Sequence, residues 1–196
     1  MLRFRFLEEI WTNEVSSHLQ TDGNEKVNHC VAISLTDMGG YPIYDFLAME
    51  LDHMLIALDE MDVIANSSII PGHAYLYNKL KYSVLAATQK SLTTNISIDG
   101  MLIKNVQVMD TYKDINFIFT VSYLEMFQGY PITLLGILRV IEEVCETHNV
   151  ADDKHINLYI NIGYSFINQR FKNKAEEFVK IKREEFNGYE NTENFG

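Results

Sequence analysis

Cysteine, histidine, carboxylate and arginine are the side chains in this sequence that can attack a carbon, hold a metal or grip an anion. Cys30 and Cys145 are its two thiols, and neither has a partner at metal-ligand spacing. Free cysteine is among the most buried residue types, so both read as core positions. His29 precedes Cys30, while His148 and His155 bracket Asp152 and Asp153 across a predicted helix-to-strand loop. Metal ligands recur at short fixed intervals, which this stretch lacks; it reads as a solvated acidic loop, with no metal expected. His73 follows Pro71-Gly72, a turn that would present it to a pocket. Phosphate-cradling loops and nucleophile elbows need glycines at fixed offsets, and no such pattern occurs. Arginine is confined to Arg3, Arg5, Arg139, Arg170 and Arg183, so forked recognition of phosphate has few candidates.

These residues must be positioned by a chain of 196 residues with 47% hydrophobic and 22% charged side chains. At that length one domain is expected, burying roughly 70% of its unfolded surface. We read residues 1–184 as that domain and 185–196, rich in Asn and Glu, as a solvated tail. The formal charge of −11 repels phosphate backbones, so no nucleic-acid partner is expected. Lys172, Lys174, Lys180, Lys182 and Arg183 alternate with Glu176, Glu177, Glu184 and Glu185, as on a salt-bridged helix surface. No apolar run approaches the roughly 20 residues of a membrane span, and Glu8 and Glu9 spoil a secretory signal. A cytoplasmic setting without a membrane partner is expected.

Hydrophobic spacing supplies the elements. Leu7, Ile10, Trp11, Val15 and Leu19 step by threes and fours, predicting a helix that Thr21 to Asn24 ends. Val31, Ile33 and Leu35 alternate inward along a strand from Val27 to Leu35. Tyr41 to Met61 is predicted helical and Ser67 to Tyr75 a strand broken at Pro71-Gly72; the pattern of Lys79 to Gln89 is ambiguous, with Leu80, Val84 and Leu85 favouring helix. Asn95 to Ile98 and Leu102 to Met109 form a hairpin on Asp99-Gly100. Asn116 to Ser122 is a further strand. A helix after Gly129-Tyr130-Pro131 carries Leu134, Leu135, Leu138, Ile141, Val144 and Cys145 on one face. Ile156 to Ile162 alternates as a half-buried strand, and a last helix spans about Asn168 to Lys182. Strands interspersed with long helices make the class α+β.

Within this frame, the segment VSYLEMFQGYPITL from Val121 to Leu134 resembles the Q-R-S-x-D-x-F-L-G-L-P-F-N-I stretch of the thymidylate synthase and pyrimidine hydroxymethylase family. Phe127, Gly129 and Pro131 match it, and Glu125 stands where the family has Asp. Further on, the segment from Ile156 is similar to the family's G-D-x-H-I-Y-x-N-H strand and helix, with Asn168 matching. Val106-Gln107-Val108 sits at the offset of an F-Q-F strand, and Ser67 to Tyr75 loosely echoes S-R-R-I-x-x-x-A-W. The likeness covers about two thirds of the chain. It implies a large bent mixed sheet flanked by helices, two such sheets packing back to back in a homodimer.

The departures from that pattern concern chemistry. The family's nucleophilic cysteine precedes F-Q-F, a place that falls on Met101-Leu102-Ile103; a leucine cannot add to C6 of a pyrimidine. Family phosphate arginines correspond to Ser122, Ser68 and Ile69, leaving Arg3 or Arg5 as the stand-ins. Thr133 replaces the asparagine that meets the pyrimidine edge, and Tyr164 and Phe166 replace the sugar-binding His and Tyr. Glu125 would keep the place of the acid that meets the folate cofactor, though a carboxylate after a turn also reads as solvated. Gln107 matches a buried family glutamine. The resemblance thus implies a divergent homodimer that has kept scaffold and lost the nucleophile. Its ligand, a pyrimidine-like small molecule or a protein partner, would meet Gln107, Ser122, Glu125, Thr133, Tyr164, Phe166, Asn168 and His73, with no catalytic residue and no cofactor. The alternative is an enzyme with altered chemistry on a modified or non-phosphorylated pyrimidine.

Overall fold

A computed structural model describes residues 6–35, 52, 53, 56, 94–97, 103–147 and 154–193. Helix α1 (Phe6–Leu19) buries Leu7, Trp11 and Val15, one per turn on a single face. The chain then reverses at Gly23, whose φ of 71° lies in the left-handed region that glycine enters without steric cost. Strand β1 (Glu25–Ser34) follows.

The predicted strands at 67–75 and helices at 41–61 and 79–89 fall on residues outside this description, except that Asp52, His53 and Ile56 are helical. Strands β2 (Thr94–Ser97) and β3 (Ile103–Asp110) pair antiparallel, as the Asp99-Gly100 signal predicts. β4 (Asp114–Glu125) pairs antiparallel with β3 and parallel with β5 (His155–Phe166). Between β4 and β5 the chain passes through helix α2 (Gly129–Thr147), the long crossover a parallel pair requires. The sheet runs β1-β5-β4-β3-β2, mixed and five-stranded.

One face of this sheet meets the core. Val31 and Ile33 of β1, Ile115, Phe117, Phe119 and Val121 of β4, and Leu158, Ile160 and Ile162 of β5 are all buried there. On α2 burial goes beyond the predicted stripe, because Ile137 and Val140 are buried as well as Leu134, Leu138 and Ile141. A helix apolar on nearly every side belongs inside the protein rather than on its surface.

The opposite face carries Cys30, Asn161 and Thr120 in one exposed row, each the Cα partner of the next. Cys30 is therefore exposed, not the core cysteine its residue type suggested, while Cys145 is buried as expected. Strand alternation explains the difference, since Val31 and Ile33 take the inward positions and leave Cys30 outward.

A row of irregularities crosses three strands. Val27 and His29 pair with Tyr164 and Ile162, and those two residues pair in turn with Tyr123 and Val121. Asn28, Gly163 and Ser122 lie between these pairs, Asn28 at φ 52°. A register shift between Ile103 and Asn105 continues the disturbance into β3. Each strand gains a residue there, so alternation restarts out of phase. Val121 and Ile162 face the core before the row, whereas Leu124 and Ser165 face it afterwards.

Helix α3 (Lys172–Glu193) packs on α1. The Trp11 ring lies 4.5 Å from that of Phe178 between centroids, tilted by 37°, and Phe127 lies 5.8 Å from Phe178. The helix continues to Glu193, so most of the stretch expected as a tail from Glu185 is helical. Lys182 corrects the salt-bridged-surface expectation in part: it occupies the buried face with Ala175 and Phe178. Its ammonium meets the Glu8 carboxylate at 2.7 Å, the two side chains 7% and 2% exposed, and Glu185 at 3.1 Å.

Candidate functional site

Past the row of bulges, the outward positions of three strands carry large side chains exposed to solvent. Val27, Tyr164 and Tyr123 are Cα partners across β1, β5 and β4, and they are 71%, 36% and 59% exposed. Phe166 lies two residues beyond Tyr164, its ring 5.6 Å away and nearly parallel at 23°. Adjacent strands lie about 4.8 Å apart, so these side chains form one ledge at the ends of β4 and β5. Glu25, the partner of Phe166, accepts a hydrogen bond from the Tyr164 phenol, which raises the pKa of that phenol.

Glu125 closes the end of β4. Its Oε2 accepts from the backbone N–H of Gln128 at 2.7 Å and of Gly129 at 3.1 Å; Oε1 accepts from Phe127 at 3.2 Å. The same Oε1 accepts from the N–H of Asn168 at 3.3 Å, tying the turn after β5 to the turn after β4. A carboxylate here satisfies orphan donors at the start of α2 and complements the positive end of its dipole. The side chain is half-buried, held by these backbone donors. Asn168 repeats the device on a smaller scale, its Oδ1 accepting from the N–H of Arg170 at 3.1 Å.

Of the residues singled out by sequence, Glu125, Tyr164, Phe166 and Asn168 are brought together here, and Ser122 lies one position before Tyr123 in the bulge row. Thr133 is buried on α2. Gln107 lies apart: it pairs with Ile118, and Ile118 with Tyr159, five positions before Tyr164, about 16 Å along the strand. His73 lies outside the described residues, as do Ser68, Ile69, Met101 and Leu102. Sequence reasoning missed Tyr123, Val27 and Glu25. The available signal was Tyr123 within the Val121-to-Leu134 segment and Gly163 interrupting an alternating strand.

Neither thiol is placed to act at the ledge. Cys145 is fully buried and desolvation pushes its thiol up to about 12. Cys30 lies three residues along β1 from Val27, about 10 Å away. Among the described residues no three His, Cys, Asp or Glu side chains converge to hold a metal. A separate groove of about 290 Å³ runs along α3, lined by Phe127, Phe178, Ile181 and charged residues of that helix. No helix among the described residues is long and apolar enough to cross a membrane.

No family model and no curated protein matches this chain. Among solved structures, thymidylate synthase from T4 phage matches it with a TM-score of 0.50 and 10% identity, over 89% of this chain and 80% of that one. The fold is thymidylate synthase-like. At this identity the likeness concerns the fold alone, a mixed sheet flanked by helices. The ledge occupies the carboxyl ends of the parallel pair β4 and β5.

Proposed function

We infer that this chain uses a thymidylate synthase-like scaffold to bind a pyrimidine nucleoside or nucleotide-like molecule without transferring a methyl or hydroxymethyl group to it. The observation that carries this reading is the ledge of Tyr123, Tyr164 and Phe166. A planar base stacked on such a surface gains about 1–3 kcal/mol per aromatic contact. The absence of a thiol within reach supports binding over chemistry, because addition to C6 of the ring needs a thiolate. The Glu25 carboxylate beside Tyr164 favours an uncharged nucleoside or base over a monophosphate on the ledge.

The open face bearing Cys30, Asn161 and Thr120 supports a second part of the proposal, a homodimer assembled through that face. Light scattering tests it: a 22.7 kDa particle at micromolar concentration counts against a dimer. The ligand is tested by a thermal-shift screen of nucleosides, bases and monophosphates. A ligand at 100 times its Kd adds about 2.7 kcal/mol, raising the midpoint by about 5–10 °C for a chain of this length. Tyr164→Ala should abolish the shift. A wild-type protein unmoved by every compound would overturn the binding reading and leave a protein partner as the occupant to seek.

A further inference from the structure

Beneath the ledge, on the core side of the sheet, lies a cluster of titratable side chains that the ligand site does not use. His18 and Ser165 are both fully buried. The His18 ring lies 2.8 Å from Ser165 Oγ through Nε2 and 2.8 Å from the Glu14 carbonyl oxygen through Nδ1. A carbonyl only accepts, so Nδ1 carries the proton, and in the neutral ring Nε2 accepts from the serine hydroxyl. Ser165 has a second acceptor, the Lys26 carbonyl oxygen on β1 at 3.4 Å. When His18 takes up a proton, Nε2–H donates to Oγ and the serine hydrogen turns to that carbonyl. The hydrogen-bonded link persists, but a positive charge is now buried in it.

The groups facing that charge come from every neighbouring element. On β1, the Lys26 ammonium donates to Ser17 Oγ, and the His29 ring stands edge-on to His18 at 5.3 Å. His29 Nε2 lies 2.6 Å from the Glu14 carboxylate on α1. From α2, buried Tyr130 is within electrostatic range of Glu14, and from α3 Arg183 donates to Ser16 Oγ at 2.6 Å. A proton on His18 adds a buried positive charge beside the Lys26 ammonium, whose field already opposes it. Neutral pH leaves the His18 position uncharged.

We propose that this cluster is an acid-released latch: it seats α1 against β1 and β5 under the ledge at neutral pH, and protonation of His18 unseats the helix. Burial holds the His18 pKa down to about 4, with Lys26 and His29 adding to the depression, against 6.5 in an open chain. The unseated form therefore takes up the proton first. The ratio of seated to unseated protein falls by about two orders of magnitude between pH 6.5 and pH 4. The latch operates whatever ligand the ledge takes.

Trp11 reports the seat directly, being the chain's single tryptophan and buried on α1 against Phe127 and Phe178. The experiment follows Trp11 emission and acrylamide quenching in the full chain from pH 7.5 to pH 4, with far-UV circular dichroism in parallel, for wild type and His18→Gln. Wild type should become several-fold more quenchable between pH 6.5 and pH 4 while keeping its strand signal, and His18→Gln should stay protected throughout. Unchanged wild-type quenching, or a His18→Gln variant that responds like wild type, overturns the latch. Should His18→Gln not fold, the imidazole resonances of the wild-type protein decide: a His18 midpoint at or above 6 overturns it, and one well below 6 that coincides with the quenching step supports it.

Discussion

The carbonyl oxygen of Ser122 occupies the space into which residue 163 would project a side chain. A Cβ built on Gly163 would lie 2.8 Å from that oxygen, closer than real contacts allow. The obstacle is backbone of the neighbouring strand, not a flexible tip, so it cannot move aside. Glycine at 163 is what lets β4 and β5 stay paired through the row where both change phase.

Gly163→Ala should therefore destabilise the fold by about 1–3 kcal/mol, the usual cost of forcing a methyl into occupied space. Gly129→Ala is the matched control: its Cβ would meet Glu125 Cβ at 3.5 Å, an ordinary contact. Urea midpoints of the two variants should separate clearly, with Gly129→Ala within about 0.5 kcal/mol of wild type.

Glu125→Ala should cost about 1–2 kcal/mol, because it strips the acceptor from N–H groups at the start of α2 and from Asn168. Glu125→Gln keeps one acceptor oxygen and should lose less. Because the carboxylate is engaged by backbone and not held free at the ledge, ligand-induced shifts measured relative to each variant's own midpoint should match wild type. A variant of normal stability that has lost its ligand response would show Glu125 touching ligand instead.

The Lys182–Glu8 pair is buried, so removing one partner should hurt more than removing both. Lys182→Met strips the buried Glu8 carboxylate of its ammonium, costing about 3–5 kcal/mol; Glu8→Met should cost less because Lys182 keeps Glu185, and the double substitution should recover most of the Lys182→Met loss. A double-mutant cycle by chemical denaturation measures the coupling. Independent effects that simply add would show that the pair does not act as one unit.

Titration of Tyr164 should be displaced to alkaline pH, since its phenol donates to Glu25 and the nearby carboxylate disfavours the phenolate. Spectrophotometric titration of wild type against Glu25→Gln and Tyr164→Phe isolates its signal. Glu25→Gln should return the Tyr164 midpoint toward 10.0, the ordinary value for this side chain.

Much of this architecture was legible in the chain because local spacing encodes it. Leu7, Trp11 and Val15 mark α1, Val31 and Ile33 mark β1, and the hairpin around Asp99-Gly100 pairs as its turn residues require. What escaped is what spacing cannot carry. A bulge adds one residue without changing composition, so the turning of Tyr123 and Tyr164 to solvent emerged only from the paired register. His18 and Ser165 meet across 147 residues of sequence, a separation no local pattern bridges. Glu125 was recognisable as a carboxylate near a helix start, but its backbone donors come from the turns after β4 and after β5, which local spacing does not bring together. Lys182 could have been caught, since it follows Ala175 and Phe178 at helical steps along the buried face of α3.

The left-handed residue at Asn28 has a further effect, because β1 is an edge strand of the sheet among the described residues. A straight rim offers a ready template on which strands of other molecules can add and grow into fibres. Asn28 breaks the even spacing of donors and acceptors along that rim midway through the strand. Polymerisation by strand addition is thereby obstructed at this margin.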